Sequence, residues 1–526
     1  MNKSMNKWMI FSIAALLAVG ILIFVFVYNS TTEQSTETIE GGQLATAKVS
    51  KDQQGRTLKK FTVIAKETKW LLKNGIQVSA LTYDGTVPGK TIQVQQGDRV
   101  QIKLKNQLKV PVSIHWHGYP VPNAMDGVPH LTQDPVPPGK SFTYDFIATV
   151  PGTYFYHSHY DSSNQVDRGL YGAFIVLPKQ EQHKYDREYV LILDEWMIDH
   201  KTGKEMTMQD STNTDHSNIE MDHSNMDMHH SHHHGHSEMQ MDHDEMMKQM
   251  YNVYTVNGKT GSSVKPLIVK KGERVRLRLI NAGFLTHKIH LQNQTFQVIA
   301  SDGNDIKNRP VLKNQMIPIG ASERYDISFV AGGKSFAIDL HDGTSGSKTL
   351  LIPVQVEGDH KATFKPDQSQ LPTWNLAKEN KDANKQSDDS QSFYTLRLNT
   401  KMENGKQVYT INDKTWPNTD PIPVKSGEKV KVKLINVGKS DHPMHLHGHT
   451  FQVLTKNGKP VSEKMKKDTL VVKPGENYEI GFTANNPGYW MFHCHDLHHA
   501  AAGMVTDVEY SDYQGKYKPN RKKAHE

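Results

Sequence analysis

The chain has 526 residues, a net charge of +6 at neutral pH and one cysteine. A chain of this length can bury several hydrophobic cores without disulfides, so their absence does not exclude export. The modest basic excess comes without any nucleic-acid-binding motif, so we expect no nucleic-acid partner.

An apolar segment lies near the N-terminus. Lys3 and Lys7 precede an uncharged run, 8–28, that is long enough to span a bilayer as a helix. The lysines favour a cytoplasmic position for the short N-terminal end. We therefore predict a membrane anchor or signal segment at 1–28, a polar tether at 29–54, and the rest of the chain on the extracytoplasmic side of the cell membrane. A protein secreted after signal cleavage is the alternative.

Three stretches repeat one pattern along the chain. Each begins at a glycine and continues with alternating polar and apolar residues, as is typical of a half-buried strand; the glycines are Gly97, Gly272 and Gly427. Many short strands with turn signals between them indicate β-sandwiches. We therefore predict an all-β chain of three domains: domain 1 at 55–180, domain 2 at 186–358 and domain 3 at 393–512.

Domain 2 carries an insert of unusual composition. Residues 205–250 contain nine histidines, ten methionines and ten acidic residues against one lysine. Thioethers favour Cu(I) and imidazoles favour Cu(II), so we interpret the insert as a disordered segment that collects copper of either oxidation state. A surface loop without function is the alternative. The polar segment 359–392 is predicted to be a solvated linker between domains 2 and 3.

The segment 493–504 reads His-Cys-His-Asp-Leu-His-His-Ala-Ala-Ala-Gly-Met and contains the one cysteine. A thiolate, two imidazoles and a weak axial thioether form the trigonal copper site of blue-copper proteins. Cys494, His499 and Met504 are candidate ligands for such a site, and the second imidazole must come from elsewhere. His493 and His495 flank the cysteine and should point away from this copper.

Four His-X-His pairs supply a further group of imidazoles. Residues i and i+2 of a strand share a face, so each pair presents two imidazoles side by side. Together they can enclose a polynuclear metal centre of copper, zinc, iron or nickel, and the neighbouring thiolate site selects copper. The pairs are His115 with His117, His157 with His159, His445 with His447, and His493 with His495.

These motifs, in their order and spacing between about residues 55 and 510, resemble the copper signatures of the multicopper oxidases. That family includes laccases, bacterial cuprous oxidases and copper-resistance oxidases. The resemblance implies cupredoxin domains, four coppers per chain, and reduction of dioxygen to water by a one-electron reductant. It assigns the type 1 copper to His442, Cys494, His499 and Met504, the type 2 copper to His115 and His445, and the type 3 pair to His117, His157, His159, His447, His493 and His495. It leaves His449 beside the ligands rather than among them.

Domain 2 lacks the corresponding residues. Gln292 stands where domain 3 has His447, and Asp339-Leu340-His341 stands where it has His-Cys-His. Domain 1 has Ser158 at the place of the cysteine. Only domain 3 can therefore hold a type 1 copper, and domains 1 and 3 should share the three-copper cluster. We interpret His287, His290 and His341 of domain 2 as structural or surface residues.

The resemblance also implies a route for electrons and protons. Electrons enter at Cys494 and pass to its histidine neighbours. Asp126 matches an acidic residue that delivers protons in the family, although an Asp-Gly turn is an alternative explanation. Some cuprous oxidases have an acidic residue after the second type 1 histidine, where this chain has Ala500. Asp441 either orients His442 or is an exposed loop acid.

We therefore predict an exported multicopper oxidase that converts Cu(I) to Cu(II), with the insert as a copper collector. A methionine axial ligand suits such an easily oxidised reductant. A laccase-like oxidase of phenols or other organic reductants is the alternative. A copper-sequestering protein is a weaker one, because sequestration does not need a complete three-copper site. The sequence leaves the physiological reductant and the oligomeric state open.

Overall fold

Strands make up nearly all the regular structure of the chain. The computed structural model describes residues 39–40, 42–199, 202, 204, 206, 243–341, 349–359, 363–367, 369–375, 377, 390–461 and 465–523. Within these residues, the α-helices are short: α1 (Ser162–Gln165), α2 (His243–Met250) and α3 (Leu497–Ala501). Single 3₁₀ turns occur at Asn123–Met125 and Gly261–Ser263, and a two-residue strand, β1, at Ile39–Glu40. The predicted all-β fold class is confirmed.

Two predictions fall on segments outside this description. The apolar run 8–28 and most of the insert 205–250 are not among the described residues. In the part of the chain that is described, no helix has the length and apolarity that a bilayer crossing requires.

The first sandwich pairs two sheets over one core. One sheet has the order β2-β3-β6-β8, with β4 beside β3, and the other has the order β5-β10-β9-β7. Side chains from both sheets, such as Val63 and Phe174, are buried in a common core. The strands are β2 (Lys48–Lys51), β3 (Thr57–Lys73), β4 (Ile76–Tyr83), β5 (Gly89–Gln95), β6 (Arg99–Asn106), β7 (His115–His117), β8 (Ser141–Ile147), β9 (Gly152–His157) and β10 (Tyr171–Leu177).

The second sandwich repeats this plan. One sheet contains the order β11-β14-β20-β16-β17, with β12 beside β11 and β18 beside β16, and the other has the order β13-β22-β21-β15-β19. Its strands are β11 (Arg187–Trp196), β12 (Val253–Val256), β13 (Leu267–Val269), β14 (Arg274–Asn281), β15 (His287–Leu291), β16 (Thr295–Ser301), β17 (Asn304–Asp305), β18 (Val311–Lys313), β19 (Ile317–Ile319), β20 (Arg324–Val330), β21 (Phe336–His341) and β22 (Leu350–Val356).

The third sandwich has the same arrangement. Its sheets have the orders β24-β23-β26-β32-β28-β29, with β30 beside β28, and β25-β34-β33-β27-β31. Its strands are β23 (Ser392–Glu403), β24 (Lys406–Ile411), β25 (Ile422–Val424), β26 (Lys429–Asn436), β27 (His442–Leu446), β28 (Phe451–Lys456), β29 (Lys459–Pro460), β30 (Lys466–Lys467), β31 (Thr469–Val472), β32 (Asn477–Thr483), β33 (Tyr489–Cys494) and β34 (Val505–Tyr510).

The three repeated segments form equivalent strands, β6, β14 and β26, each eight residues long. Each strand ends in an asparagine, Asn106, Asn281 or Asn436, whose Nδ2 donates to two carbonyl groups and whose Oδ1 accepts from the amide two residues later. One of those carbonyls lies four residues further on, in the loop that leads towards the next strand. The asparagine therefore fixes the same loop in all three sandwiches, just before the strands β15 and β27 that begin with His287 and His442.

Part of the predicted linker 359–392 packs on the second sandwich. The backbone amide of Trp374 donates to the carbonyl of Met316 at 2.8 Å, and the Trp374 ring lies against Tyr325. Ala377 is buried in the core of the third sandwich. Two side chains of the polar stretch therefore pack against the neighbouring domains, while most of its other described residues are exposed. The predicted solvated linker stays a prediction.

Candidate metal centres

The cysteine lies within a group of buried side chains in domain 3. Cys494 ends β33, His442 begins β27 on the neighbouring strand, and His499 lies on α3. Cys494 Sγ is 3.7 Å from His442 Nδ1 and 3.6 Å from His499 Nδ1, and the two imidazole nitrogens are 3.2 Å apart. Met504 is buried in the same core, and its carbonyl accepts a hydrogen bond from the Cys494 amide at 3.0 Å. The structure therefore brings the four predicted type 1 residues into one region.

His499 is held in place by its neighbours. The Asp496 carboxylate caps α3 by accepting from the backbone amides of His498 and His499, and it lies 3.2 Å from His499 Nε2. The ring of Tyr409 stacks on the His499 ring with centroids 3.8 Å apart. These contacts direct Nδ1 of His499 towards the cysteine sulfur.

The eight imidazoles of the His-X-His pairs lie at the junction of domains 1 and 3. Strand register aligns His115 with His157 across β7 and β9, and His445 with His493 across β27 and β33. All eight rings are buried. Their nitrogens fall into overlapping groups with atoms within 4.8 Å of one another: His117 with His157 and His495, His159 with His447 and His493, and His115 with His117 and His445.

Backbone carbonyls orient several of these rings. Nδ1 of His157 lies 2.9 Å from the Ser158 carbonyl, and Nδ1 of His493 lies 3.0 Å from the Cys494 carbonyl. A proton on each Nδ1 leaves Nε2 to face the other domain or strand. Nε2 of His157 is 3.3 Å from Nε2 of His495, and because an Nε2 without a proton cannot donate, this arrangement suits two ligands of one metal better than a hydrogen bond.

Burial keeps four of these imidazoles neutral. It lowers the pKa of His117, His447 and His495 well below the ordinary value of 6.5, and neighbouring imidazoles lower it further. Burial also lowers the pKa of His445 to about 4. A neutral imidazole offers a lone pair, which is the form that binds a metal ion.

The donor set fits copper. His115 Nε2, His117 Nδ1 and His445 Nε2 are buried and have no hydrogen-bond partner among the described residues. Buried polar atoms are normally partnered, so three such nitrogens on one junction indicate that they bind something else. Imidazoles beside a thiolate with two imidazoles and a methionine are the ligands of copper centres.

Asp126 lies between the two domains. Its carboxylate is fully buried, with Oδ1 3.2 Å from His115 Nδ1 and Oδ2 3.0 Å from His447 Nδ1. Asp126 also closes the 3₁₀ turn after Asn123, so the turn and the contact with the imidazoles coexist. Its predicted role in proton delivery stays a prediction.

A buried ion pair that no local sequence pattern marks adjoins the imidazoles. Arg324 of domain 2 donates two hydrogen bonds to the Asp468 carboxylate of domain 3, at 2.6 and 2.7 Å. Burial opposes ionisation of Asp468, but Arg324 overcomes this and holds the pKa of the carboxyl below its ordinary value. The backbone carbonyl of Asp468 lies 3.0 Å from His445 Nδ1, and the side-chain Oδ1 of Asp468 lies 3.4 Å from His117 Nε2. Domain 2 thus supports the junction through Arg324.

The same ion pair explains the glycine of the His115-Trp116-His117-Gly118 segment. Gly118 has φ +74°, and a Cβ at this position would overlap the Arg324 and Asp468 side chains. Only glycine fits this backbone conformation and this close approach. Glycine in the motif is therefore a consequence of packing against domains 2 and 3.

The other predicted residues lie outside these groups. Both ring nitrogens of His449 are engaged, Nδ1 with the His447 carbonyl at 3.0 Å and Nε2 with the Tyr510 hydroxyl at 2.7 Å. Asp441 is exposed, and Ala500 is buried on α3.

In domain 2, the histidines have structural partners. Nε2 of His287 is 2.7 Å from the Glu195 carboxylate, which also accepts from the Leu285 amide. His287 and His290 are both buried, so neither is a surface residue. Each faces a carboxylate, His287 that of Glu195 and His290 that of Asp367, as expected of structural residues. The side chain of His341 is not among the described ones.

The chain matches known proteins along most of its length. Three family models, each described as multicopper oxidase, match residues 64–181, 187–351 and 384–514. It is similar to Multicopper oxidase MmcO of Mycobacterium tuberculosis, with 30% identity over 439 residues that cover 82% of this chain and 83% of that protein. It is also similar to the Copper resistance protein A homolog of Pseudomonas syringae pv. tomato, with 25% identity covering 82% and 89% of the two chains. A solved multi-copper oxidase from Pseudomonas thermotolerans superimposes with a TM-score of 0.67 at 25% identity, covering 87% of this chain and all of that one.

Proposed function

The chain belongs to the multicopper oxidase family, and from that premise we propose that it is an exported oxidase that converts Cu(I) to Cu(II). Membership makes it a copper-dependent oxidoreductase with dioxygen as the electron acceptor. The finer claim concerns the reductant and the residues that serve each step. The choice of residues is supported by the gathering of one thiolate-containing group and three imidazole groups within a single chain. The choice of reductant is supported by the composition of the insert.

We assign the copper ligands by the groups in which their side chains lie. His442, Cys494, His499 and Met504 would hold the type 1 copper, and His115 and His445 the type 2 copper. The type 3 pair would be held by two sets of three imidazoles: His117, His157 and His495 in one set, and His159, His447 and His493 in the other. When bound, these coppers supply one-electron acceptance at the first site and reduction of dioxygen to water at the other three.

The chain contributes the connection between the two sites. Cys494 is covalently bonded to His493 on one side and His495 on the other, so each step from the thiolate to an imidazole crosses one peptide link. Strand β33 holds His493 opposite His445, and the chain turns after Cys494 so that His495 meets His157 of domain 1. Electrons that reach the thiolate therefore have two short covalent routes to the junction.

Asp126 is the best placed group to supply protons at that junction. Its two carboxylate oxygens contact imidazoles from both domains, His115 and His447. A carboxyl that touches the ring nitrogens facing away from the metal can hold a proton and orient these rings at once. Ala500 offers no second acid, so Asp126 takes this role alone among the residues we predicted.

Cu(I) is the proposed reductant because of the composition of the insert. Ten methionines and nine histidines between residues 205 and 250 provide soft thioethers for Cu(I) and imidazoles for Cu(II). One of the similar proteins is named a copper resistance protein, which agrees with a role in copper handling. An organic reductant would gain nothing from such a segment.

Oxygen uptake by the copper-loaded, full-length protein tests the proposal. We expect fast uptake with Cu(I), slow uptake with a phenol, and four coppers per chain by metal analysis in addition to any that the insert collects. A chain in which 207–242 is replaced by a short Gly-Ser segment should keep its phenol activity and lose Cu(I) activity at low Cu(I) concentration. Fast phenol turnover with negligible Cu(I) turnover would instead establish the laccase-like alternative.

We propose in addition that the catalytic part lies on the extracytoplasmic side of the membrane, held by the apolar run 8–28. The two lysines before the run and its uncharged character support this. Cell fractionation with protease added to intact spheroplasts is the test. Protection of the catalytic part from protease would contradict export, and recovery in the culture medium would favour a cleaved signal.

A further inference from the structure

The turn before β20 is one of three equivalent turns, and domain 2 has a serine where the other two domains have a glycine. Gly139, Ser322 and Gly475 each lie two residues before a strand, β8, β20 or β32. Their amides donate to the carbonyl of the asparagine that ends β6, β14 or β26, at 2.9, 2.9 and 3.1 Å. All three have a left-handed backbone, with φ +75°, +66° and +76°. Glycine adopts this conformation freely, whereas a residue with a Cβ is strained in it.

The side chain of this serine contacts one of the imidazoles at the junction. Ser322 is buried, and its Oγ lies 2.5 Å from Nδ1 of His495 in domain 3. Nε2 of the same ring lies 3.3 Å from Nε2 of His157 in domain 1. The imidazole of His495 therefore belongs to domain 3, meets domain 1 with one nitrogen and meets domain 2 with the other.

A metal at the junction requires one tautomer of this ring. The lone pair must be on Nε2, which faces domain 1, so the proton of the neutral imidazole is on Nδ1. The hydroxyl oxygen of Ser322 accepts that proton in a hydrogen bond. For His157 and His493, the acceptor at Nδ1 is the backbone carbonyl of the next residue in the chain. For His495 it is a side chain from another domain, and without it a buried donor would lose its partner, which costs free energy.

Buried ion pairs at the next two residues hold the turn against domain 3. Glu323 Oε1 lies 3.0 Å from Nζ of Lys467, and Arg324 donates to the Asp468 carboxylate. All four of these side chains are buried. The carbonyl of Ser322 itself accepts from Nη1 of Arg324 at 3.3 Å. The hydroxyl is therefore presented to the imidazole from a backbone that contacts on both domains fix in place, as the orientation of a metal ligand requires.

We infer that Ser322 is a positioning residue of the type 3 site, and that its strained backbone is retained because its hydroxyl holds the imidazole of His495. Strain of this kind persists where the surrounding structure enforces it, and it is concentrated at functional sites. The inference rests on the proposed function, because it takes His495 as a type 3 ligand. It gives domain 2 a direct contact with a ligand of the proposed three-copper cluster.

Chelator titration of the copper-loaded, full-length protein tests the role of the hydroxyl without turnover. Ser322→Gly removes the hydroxyl and the strain together, whereas Ser322→Ala removes the hydroxyl and keeps a Cβ in the left-handed conformation. We expect both variants to bind type 3 copper about ten- to a hundredfold more weakly, the range for loss of a hydrogen-bond partner of a metal ligand. At a chelator concentration that leaves the wild type its four coppers, each variant should retain about two fewer and keep its full blue absorption.

Urea unfolding of the copper-free variants separates the hydroxyl from the backbone. The unfolding midpoint of Ser322→Gly should lie above that of Ser322→Ala, because alanine is strained at a positive φ and glycine is not. Gly139→Ser and Gly475→Ser are the matched controls. Each places a serine in an equivalent turn, where a Cβ meets no other atom within 4 Å. Both should lower the unfolding midpoint and leave the copper count and the blue absorption unchanged.

The outcomes distinguish this inference from the proposed function. If Ser322→Gly keeps the wild-type copper count throughout the titration, the contact with His495 is ordinary packing and the inference is wrong. If Ser322→Ala loses copper and Ser322→Gly does not, the backbone and not the hydroxyl determines copper binding, and the inference is also wrong. Loss of the blue absorption in step with the copper count would overturn it too, because the effect would not be confined to the type 3 pair. A wild type that keeps only one copper against the chelator would contradict the proposed function itself, whatever the variants do.

Discussion

Domains 2 and 3 present the same sheet with different side chains. In domain 3 the register places Met444 opposite Cys494, and in domain 2 it places Ile289 opposite Leu340. One step along, domain 3 pairs His445 with His493, whereas domain 2 pairs His290 with Asp339. The strand order and the asparagine-fixed loop before the strand are the same in both. The two domains therefore share one backbone arrangement, and the side chains at a few equivalent positions determine whether a domain can bind copper.

The two domains also differ in how their first histidine is used. His287 is tied to the Glu195 carboxylate at 2.7 Å, which satisfies the imidazole within the fold. His442, at the equivalent position, has its Nδ1 directed at Cys494 and His499. A carboxylate partner turns the histidine into a structural element, and a thiolate partner turns it into a candidate ligand.

Loss of the thiolate should have the largest effect. Cys494→Ser gives domain 3 the residue type that domain 1 has at Ser158. We expect the blue absorption to disappear and oxygen uptake to fall by more than about a hundredfold. Removing a residue that only hydrogen-bonds a metal ligand lowers activity by at most about a hundredfold, and Cys494 is proposed as a ligand itself. Absorption spectra and oxygen uptake are the measurements. Ser158→Ala, at the equivalent position of domain 1, should keep the blue absorption, and a Cys494→Ser protein that is still blue and active would refute the type 1 assignment.

The contribution of domain 2 to the junction can be tested at Arg324. Arg324→Met leaves the buried Asp468 carboxylate without its guanidinium, and this should lower the free energy of unfolding by about 3–5 kcal/mol. Urea unfolding of the copper-free protein is the measurement. The matched control is Arg397→Met, at an exposed position of domain 3, which should change it by less than about 0.5 kcal/mol. Equal effects of the two substitutions would mean that the ion pair does not join the domains.

Acid should weaken domain 3 through its buried imidazoles. Burial lowers the pKa of His449 from 6.5 to about 4. Between pH 6.5 and pH 4, this imidazole is therefore protonated in the unfolded chain and neutral in the folded chain. The contribution of this group to stability is complete above pH 6.5 and declines as the pH falls to 4, by at most about 3 kcal/mol. In His449→Gln, the unfolding free energy of the copper-free protein should depend less steeply on pH over this range. Identical slopes for the variant and the wild type would contradict the expectation.

The smallest effect is expected at the structural histidine of domain 2. His287→Asn breaks the contact with Glu195 and should cost about 1–3 kcal/mol of unfolding free energy. Copper content and blue absorption should not change. His442→Asn, the same substitution at the equivalent position of domain 3, should remove the blue absorption. Loss of copper in His287→Asn would show that domain 2 takes part in metal binding after all.

Sequence patterns predicted what depends on local spacing. The repeated polar and apolar alternation became β6, β14 and β26, and the His-X-His spacing placed the rings of His115 and His117 on one strand with centroids 5.9 Å apart. In the other three pairs the second histidine, His159, His447 or His495, lies beyond the end of its strand. The absence of a type 1 site from domain 2 was also predictable, because domain 2 has other residue types at the positions of the domain 3 ligands.

Contacts made by tertiary packing left no such signal. Arg324 and Asp468 are 144 residues apart and neither belongs to a repeated motif, so only the docking of domain 2 on domain 3 brings them together. The contact of Met197 with Met247 is similar, because Met197 lies outside the methionine-rich stretch and joins it only through the fold. The contacts of Trp374 are a related case, since this apolar residue is a minor part of a polar segment but packs on domain 2.

The separation along the chain of the residues that meet at the junction sets an order of events during biosynthesis. His157 meets His495 across 338 positions, and Asp126 meets His447 across 321. The proposed three-copper cluster can therefore be completed only after the last domain has been synthesised and has docked on the first. The proposed type 1 residues lie between 442 and 504 within one sandwich and need no partner domain. Copper loading thus has a local first stage and a global last one, and a truncated or misdocked chain would turn blue without acquiring the means to consume oxygen.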